Sequence, residues 1–170
     1  MRTKKQKNKS QEWTVCLEGT PVGALLLTFT SKGLAALDFG DNSCKNAPGA
    51  PPPPALRPMI EAAKQALGRY FDDGATDFAD LPLDLQGTPF QVKVWQELQR
   101  IPHGGTISYK ELAQRAGSPK GSRAAGQANG RNPVPIIVPC HRVIAADGSL
   151  GGYSSGIERK RWLLKHEGAM

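Results

Sequence analysis

The stretch IIVPCHRVI, residues 136–144, places a cysteine, a histidine and an arginine side by side among apolar, mostly β-branched residues. A buried run of this kind normally carries no polar side chain, because an unpaired polar group is costly away from water. Consecutive Cys140, His141 and Arg142 therefore indicate a reactive thiol with a base and a charge beside it. The alternative is a core cysteine next to a partly exposed histidine, since free cysteine is among the most buried residue types. The surrounding sequence favours the reactive thiol.

Residues before this stretch carry the signals of three short helices. TPFQ at 88–91 combines an N-cap threonine, a proline at the first helical position and a capping-box glutamine, which predicts a helix over 89–100. SYKE at 108–111 is a second capping box, for a helix that ends near residue 117. A Gly-Ser-Pro turn then leads to a third helix over 121–129. Two short helices joined by a tight turn predict a helix-turn-helix.

The third predicted helix consists almost entirely of small residues, with the sequence GSRAAGQA over 121–128. A helix that packs into a core normally carries a large apolar side chain every three or four positions, whereas small side chains let the backbone approach another surface closely. One interpretation is tight packing against a neighbouring helix. The single arginine on this smooth face, Arg123, favours the other interpretation, a surface that contacts nucleic acid.

The chain ends in a further predicted helix. After a flexible Gly- and Ser-rich loop at 151–156, Ser155 and Glu158 form a capping box, and the helix extends to about residue 166. Glu167 follows in the last turn, where a carboxylate opposes the helix dipole. Positions that break a local rule are often functional, although a single exposed glutamate near a chain end usually has no such role.

Short strands and one helix are predicted for the N-terminal half. Three β-type runs are separated by Gly-Thr-Pro and Ser-Lys-Gly turns, which predicts an antiparallel meander. These runs cover residues 13–17, 22–30 and 34–39. A Pro-rich loop at 48–58 leads to a helix over 59–71, and a further strand is predicted over 81–85.

The charged residues are distributed unevenly, so that the C-terminal part of the chain is basic and the part before it is acidic. Residues 86–170 carry 12 Lys and Arg against 5 Asp and Glu, whereas residues 11–85 carry 5 against 10. Residues 1–10 are predicted to be a disordered basic tail. We therefore expect an α/β domain over 11–85 and a second, mainly helical domain over 86–170. The basic second domain predicts a polyanionic partner, without separating nucleic acid from other polyanions.

Other features of the sequence bear on compartment and assembly. No apolar run is long enough to span a membrane, and the first ten residues lack the apolar core of a secretory signal. The three cysteines, Cys16, Cys44 and Cys140, are widely spaced and do not make a disulfide framework. These features predict a reducing compartment, the cytoplasm or, in a eukaryote, the nucleus, and no membrane partner. No exposed apolar stripe indicates a dimer, so a monomer is predicted.

Several motifs, in this order, resemble those of the O6-alkylguanine-DNA alkyltransferases, also called methylated-DNA–protein-cysteine methyltransferases. PCHRV at 139–143 is preceded by NPVPI at 132–136 and followed by GYS at 152–154. The similarity extends from residue 88 to 167, and its other motifs are ISY at 107–109, SPK at 118–120 and WLL at 162–164. The N-terminal half is similar to the family only in layout. The resemblance implies a ribonuclease H-like α/β domain of antiparallel strands plus a helix, followed by a mainly helical domain with a winged helix-turn-helix.

The resemblance also implies a catalytic set of Cys140, His141, Glu167 and Asn132. Cys140 would accept the alkyl group, His141 would reach the thiol through a water as its base, and Glu167 would orient the histidine. A base is needed because a free thiol, with a pKa of ~8.5, is only slightly ionised at neutral pH. Asn132 would pin the turn before the cysteine, and Arg142 would hold the loop by a salt bridge or backbone hydrogen bonds.

Six residues would contact the DNA or the flipped base: Tyr109, Arg123, Ala124, Val143, Tyr153 and Ser154. Arg123 would fill the gap left by the flipped guanine, on a helix that enters the minor groove. Tyr109 would help rotate the nucleotide. Tyr153 and Ser154 would close over the guanine and donate to O6. Val143 would line the pocket and accept from the exocyclic amine through its carbonyl oxygen.

The implied function is repair of double-stranded DNA by irreversible transfer of the alkyl group from O6 of guanine to Cys140, once per molecule. O4-alkylthymine remains open as a second substrate. No cofactor is implied. Some relatives hold zinc in the N-terminal domain, but no metal is expected here because residues 1–85 contain no histidine to join Cys16 and Cys44.

Two alternatives belong to other classes of protein. One is a non-catalytic helix-turn-helix protein that binds DNA damage or regulates transcription, with an inert Cys140. The small side chains over 121–128 oppose sequence readout by such a protein. The other is a cysteine hydrolase using Cys140 and His141. Neighbouring residues of an extended segment point to opposite faces, which disfavours direct contact between these two.

Overall fold

A three-stranded antiparallel sheet begins the fold. The computed structural model describes residues 11–40, 50–74 and 76–170, and the predicted basic tail lies outside them. The strands β1 (Trp13–Leu17), β2 (Ala24–Phe29) and β3 (Leu34–Gly40) pair in the order β1-β2-β3, so the predicted meander is confirmed. In β2 every second side chain is buried, because alternate residues of a strand face the same side of the sheet.

Helix α1 (Arg57–Asp73) follows the sheet. Its buried side chains recur at helical spacing and belong to the same hydrophobic core as those of β2 and β3. The helix ends at Gly74, whose φ of 71° is readily adopted by glycine. The predicted Pro-rich loop at 48–58 is too long, because Pro54–Leu56 forms a 3-10 turn and α1 already begins at Arg57. A proline in the first helical turn, here Pro58, loses no intrahelical hydrogen bond.

The strand predicted over 81–85 is wrong. Among the described residues this segment makes one isolated parallel bridge, between Leu34 and Leu83. The bridge consists of a bond from the Leu34 amide to the Pro82 carbonyl, 2.9 Å, and one from the Asp84 amide to the Leu34 carbonyl, 2.9 Å. Pro82 has no amide hydrogen with which to extend the ladder.

The C-terminal half contains four helices: α2 (Pro89–Gln99), α3 (Tyr109–Arg115), α4 (Ser122–Gly130) and α5 (Ile157–His166). The capping box of α2 is present in both directions, as predicted from residues 88–91. Ser108 caps α3 by accepting from the Glu111 amide at 3.1 Å. Two short parallel strands, β4 (Ile107–Ser108) and β5 (Val143–Ile144), bring the residues after Cys140 beside the start of α3.

The capping box predicted for α5 is wrong. Gly156 is the N-cap, with a φ of 98°, and no side chain caps the helix. A glycine in this conformation turns the chain sharply. Glu158 pairs with Arg161 at 2.6 Å instead of accepting a hydrogen bond from the Ser155 amide. The Ser155 carbonyl accepts from the Arg159 guanidinium at 2.9 Å.

The segment around the cysteine is not extended, contrary to prediction. Cys140–Arg142 is a single 3-10 turn, in which the Arg142 amide donates to the Pro139 carbonyl at 3.0 Å. Ile136 has a φ of 73°, which is unusual for a β-branched residue. Successive side chains therefore do not alternate between two faces. Alternation of an extended segment consequently does not exclude direct contact between Cys140 and His141, the contact that a cysteine hydrolase would need.

The two halves share one hydrophobic core. Its buried members run from β2 and β3 through α1 to α2, the cysteine segment and α5. The Leu37 amide of β3 donates to the carbonyl of Pro133 at 2.8 Å, which ties the sheet to the chain just before the cysteine segment. No helix in residues 11–40, 50–74 and 76–170 is both long and apolar enough to cross a membrane.

The cysteines differ in state. Cys140 is free, whereas Cys16 on β1 is disulfide-bonded, and Cys44 lies outside the described residues. The sequence predicted only that the three cysteines make no disulfide framework, and a disulfide at Cys16 was not anticipated. Cysteine spacing consequently no longer supports the prediction of a reducing compartment.

Candidate active site

Cys140 lies in a cleft of about 550 Å³ between α4 and the loop before α5. Its side chain is only 3% exposed. Ten residues line the cleft, and five of them were predicted from the sequence as site residues: Tyr109, Arg123, Cys140, Tyr153 and Ser154. The structure therefore brings a buried thiol together with an exposed arginine and two tyrosines.

The thiol does not ionise readily by itself. Burial raises the pKa of Cys140 above its ordinary value, although the side chains of Asn132 and Tyr153 and the charge of Lys160 act in the opposite direction. The Tyr153 hydroxyl acts on the thiol from close by, but it is buried and has no hydrogen-bond partner within the described part of the chain. It is thus available to donate to a group that enters the cleft.

Two asparagines hold the backbone around Cys140. Asn132 donates to the Val138 carbonyl at 2.7 Å and accepts from the Val134 amide at 3.0 Å, so it braces the turn before the cysteine. Asn129 at the end of α4 donates to the Cys140 carbonyl at 3.4 Å. The sequence did not single out Asn129.

Behind the cysteine, the Glu167 carboxylate accepts four hydrogen bonds. Its Oε1 lies 2.8 Å from His141 Nε2, 3.0 Å from Arg142 Nη2 and 2.7 Å from the Tyr70 hydroxyl, and its Oε2 accepts from Arg142 Nε at 2.8 Å. Arg142 also donates to the Ile101 carbonyl at 2.6 Å. The predicted holding role of Arg142 agrees with these contacts. Tyr70, from the N-terminal half, was not predicted.

The charges in this network fix the state of the histidine. Burial opposes ionisation of Glu167, but hydrogen bonds from His141 and Arg142, together with the charge of the Arg142 guanidinium, outweigh it and hold the pKa of this carboxyl below its ordinary value. Burial also lowers the pKa of His141, although Glu167 acts to raise it. A neutral His141 that donates from Nε2 to Glu167 has a free lone pair on Nδ1. Nδ1 is buried and has no hydrogen-bond partner among the described residues, so it can take up a proton.

Lys160 is a further buried charge, which the sequence did not predict. Its ammonium donates to the carbonyls of Val143 at 2.6 Å, Leu150 at 2.5 Å and Gly152 at 3.5 Å. Burial lowers the pKa of Lys160 to about 8, although Cys140 acts to raise it. Lys160 therefore joins β5 to the loop that borders the cleft. The available signal was its spacing, since Lys160 precedes the buried Leu163 and Leu164 by three and four positions.

Two protein-family models match the chain. The DNA-binding domain of 6-O-methylguanine DNA methyltransferase matches residues 89–169, and the ribonuclease-like domain of the same protein matches residues 17–85. The methylated-DNA–protein-cysteine methyltransferase of Methanosarcina barkeri is 45% identical over 148 residues, which cover 87% of this chain and 92% of that protein.

The chain belongs to the methylated-DNA–protein-cysteine methyltransferase family. The family member from Mycobacterium tuberculosis is 54% identical over 108 residues, 64% of this chain and 65% of that protein. A crystal structure of the M. tuberculosis O6-methylguanine methyltransferase superimposes with a TM-score of 0.78 at 41% identity, over 94% of both chains. A second structure, of M. tuberculosis OGT in complex with DNA, has a TM-score of 0.77 and covers 92% of both chains. The family's two-part fold, a small sheet domain and a helical domain, is therefore present here.

Two further residues that the family resemblance selected, Ala124 and Val143, are not among those that line the cleft. Ala124 is exposed on α4 next to Arg123. Val143 has a fully buried side chain, and its carbonyl oxygen accepts from Lys160. Tyr109, which does line the cleft, has its hydroxyl 3.5 Å from the Gly152 carbonyl and so touches the loop before α5.

Proposed function

We propose that this methyltransferase family member repairs DNA by transferring the alkyl group from O6 of guanine in a duplex to the sulfur of Cys140, irreversibly and once per molecule. The single observation that carries this function is the free, buried Cys140 in the cleft, with His141 and Glu167 behind it. Relatives with the same fold carry the methyltransferase name. O4-alkylthymine is a second candidate substrate on the same chemistry.

The proposed reaction is a displacement at the alkyl carbon. His141 accepts the thiol proton through a water on Nδ1, and Glu167 stabilises the resulting imidazolium. The thiolate then forms a bond to the alkyl carbon, and the bond between that carbon and O6 breaks. O6 keeps the electron pair and receives a hydrogen bond from the Tyr153 hydroxyl, which makes guanine a better leaving group. Water does not readily cleave the thioether, so the thiol is not regenerated.

Access to the buried thiol requires the guanine to leave the base stack. O6 in a duplex cannot reach a sulfur that is 3% exposed, so the nucleotide must rotate into the cleft. We propose that α4 enters the minor groove, where small Ala124 permits close approach and exposed Arg123 fills the vacated position. Tyr109 supports the rotated nucleotide, Ser154 closes over it, and the Val143 carbonyl accepts from the guanine amine.

The finer architecture is part of the proposal. We assign residues 11–85 to a ribonuclease H-like domain and residues 86–170 to the DNA-binding and alkyl-acceptor domain. Helices α3 and α4, joined by a short turn, form the helix-turn-helix, with β4 and β5 beside it as the wing. A crystal structure of the protein with duplex DNA tests this assignment, which fails if α4 lies outside the minor groove.

The alkyl transfer is tested by intact-mass spectrometry after mixing the protein with a duplex that contains one O6-methylguanine. The expected result is a gain of a single methyl group, located on the peptide that contains Cys140. Cys140→Ser and a duplex with unmodified guanine are the controls, and neither should give the added mass. Binding of the duplex without any change in mass would favour the non-catalytic DNA-binding alternative.

A further inference from the structure

Tyr70 reaches the catalytic network from the opposite end of the chain. It lies near the end of α1, in the N-terminal half, and its fully buried hydroxyl donates to Glu167 Oε1 at 2.7 Å across 97 residues of sequence. The other donors to Glu167 come from the cysteine segment itself. The N-terminal half thus contributes a polar group directly to the machinery of the C-terminal half.

Packing accounts for the ring of Tyr70 but not for its hydroxyl. The ring contacts Phe71, Phe78 and His166, with centroid separations of 5.3 to 5.5 Å. A phenylalanine would keep these contacts. A buried hydroxyl costs free energy unless it is hydrogen-bonded, so the hydroxyl is explained only by its bond to the carboxylate.

The hydroxyl bonds to the same carboxylate oxygen that His141 uses. Oε1 accepts from Tyr70, from His141 and from Arg142, while Oε2 accepts from Arg142 alone. Rotating the carboxylate away from the histidine would therefore break the bonds to Tyr70 and Arg142 as well. Burial and the charge of Glu167 raise the pKa of Tyr70, so the hydroxyl remains a donor throughout the working pH range.

We propose that Tyr70 is a positioning residue for alkyl transfer, which holds the Glu167 carboxylate in the orientation that His141 requires. The inference rests on the proposed function, because it assigns Tyr70 a part in the same reaction. Tyr70 touches neither the thiol nor the base; it acts through Glu167 on His141.

Removal of the hydroxyl has a defined electrostatic consequence. Four groups act on the charge of His141. They are Lys160 in α5, Glu167 at the C-terminal end of α5, the neighbouring residue Arg142, and Tyr70, which acts through Glu167. Without the Tyr70 hydrogen bond, Glu167 stays ionised beside Arg142, but its negative charge is less neutralised. The imidazolium form of His141 is then stabilised, and the histidine loses its basic form at a higher pH.

The test compares single-turnover alkyl transfer by the wild type, Tyr70→Phe and Phe71→Leu as a function of pH, with the O6-methylguanine duplex. For Tyr70→Phe we expect the acid limb of the pH profile to move upward by roughly half a pH unit. We also expect a rate constant on the plateau that is lower by about threefold to tenfold, because the base is less well held. Phe71→Leu is the matched control, since it loosens the same helix packing without touching Glu167.

The outcomes separate the inference from the function it rests on. An acid limb that moves in Tyr70→Phe and not in Phe71→Leu supports the inference. A Tyr70→Phe profile identical with that of the wild type overturns it. A uniform slowing with an unmoved acid limb also overturns it, because that result indicates packing alone. Failure of the wild type to transfer the methyl group at any pH would refute the proposed function instead.

A measurement on the wild type keeps the inference falsifiable if Tyr70→Phe does not fold. In proton NMR of protein labelled with ¹³C-tyrosine, the Tyr70 hydroxyl proton should be slowly exchanging and should show a nuclear Overhauser contact to the His141 ring. Rapid exchange of that proton at neutral pH would contradict the hydrogen bond and with it the inference.

Discussion

At the residue scale, the site depends on one buried negative charge. The Glu167 side chain is fully buried, yet its carboxylate remains ionised because four hydrogen bonds and the guanidinium of Arg142 replace the water it has lost. The same carboxylate determines which nitrogen of His141 carries the proton. A single residue therefore couples the stability of the fold to the tautomer that the proposed chemistry needs.

Substitution of Glu167 by glutamine should destabilise the fold. Glu167→Gln leaves the Arg142 charge buried without its counter-charge, which should lower the free energy of unfolding by about 3 kcal/mol or more. Urea unfolding at neutral pH measures this change. Glu111→Gln is the control, because Glu111 pairs with Arg115 at the partly exposed surface and should contribute at most about 0.5 kcal/mol. Equal effects of the two substitutions would contradict the argument.

The pH dependence of stability follows from the same residues. The pKa values of His141 and Glu167 are both lowered by folding, so the unfolded chain binds more protons than the native protein below the ordinary values of these groups. Stability should therefore be greatest above about pH 6.5 and should fall as the pH drops, first through His141 and then, below about pH 4.3, through Glu167. Urea midpoints of the wild type across this range measure it. A midpoint that stays constant or rises on acidification would refute the assignment.

At the scale of elements, α5 connects the two sides of the site. Lys160 on its buried face holds the carbonyls of the loop that borders the cleft, and Glu167 at its C-terminus holds the histidine behind the cysteine. The helix also carries Arg159, whose guanidinium lies 4.9 Å from the Phe39 ring and donates to the Val22 carbonyl at 3.2 Å. A shift of α5 would therefore move both the loop and the catalytic base.

Removal of the Lys160 ammonium should increase the mobility of the loop at residues 150–154 more than that of the rest of the fold. Lys160→Met keeps the length of the side chain but leaves three carbonyl groups without this donor. We expect amide hydrogen exchange at residues 150–154 to become about tenfold faster, and alkyl transfer to slow, because an ordered loop is lost. Lys165→Met, at an exposed position of the same helix, is the control. Unchanged exchange in Lys160→Met would show that other contacts hold the loop.

Elements with local signals were predictable, and those without them were not. Capping residues gave α2 and α3, and the Gly-Ser-Pro turn gave α4, to within a residue or two, because these features act within one turn of the chain. The capping residue of α5 was assigned wrongly, one position early, because its cap is a backbone conformation of Gly156 and not a side chain. The 3-10 turn at Cys140–Arg142 was missed because the apolar run around it has the composition of a buried strand.

At the scale of the whole molecule, the site is assembled by contacts between residues far apart in the chain, which hydrophobic periodicity does not predict. Cys140, His141 and Glu167 could be predicted because family motifs carry them. Tyr70 could not be, because its partner Glu167 lies 97 residues away and α1 shows only the spacing of an ordinary core helix. The DNA-binding half was easier to predict than Tyr70, because the excess of Lys and Arg in residues 86–170 is visible without knowledge of the fold.

That charge distribution predicts how the whole protein should respond to salt. Residues 86–170 carry the excess of Lys and Arg, so DNA binding should release counterions and the affinity should fall at least about tenfold between 50 and 200 mM salt. Fluorescence anisotropy with an unmodified duplex measures this dependence. Lys120→Ala, in the turn before α4, should weaken binding and reduce the slope of log affinity against log salt by about 1, because a phosphate contact is lost. Lys32→Ala, also at an exposed position but in the acidic N-terminal half, should change neither quantity. If both substitutions act alike, the protein binds DNA through its overall charge, and α4 is not the surface that meets the duplex.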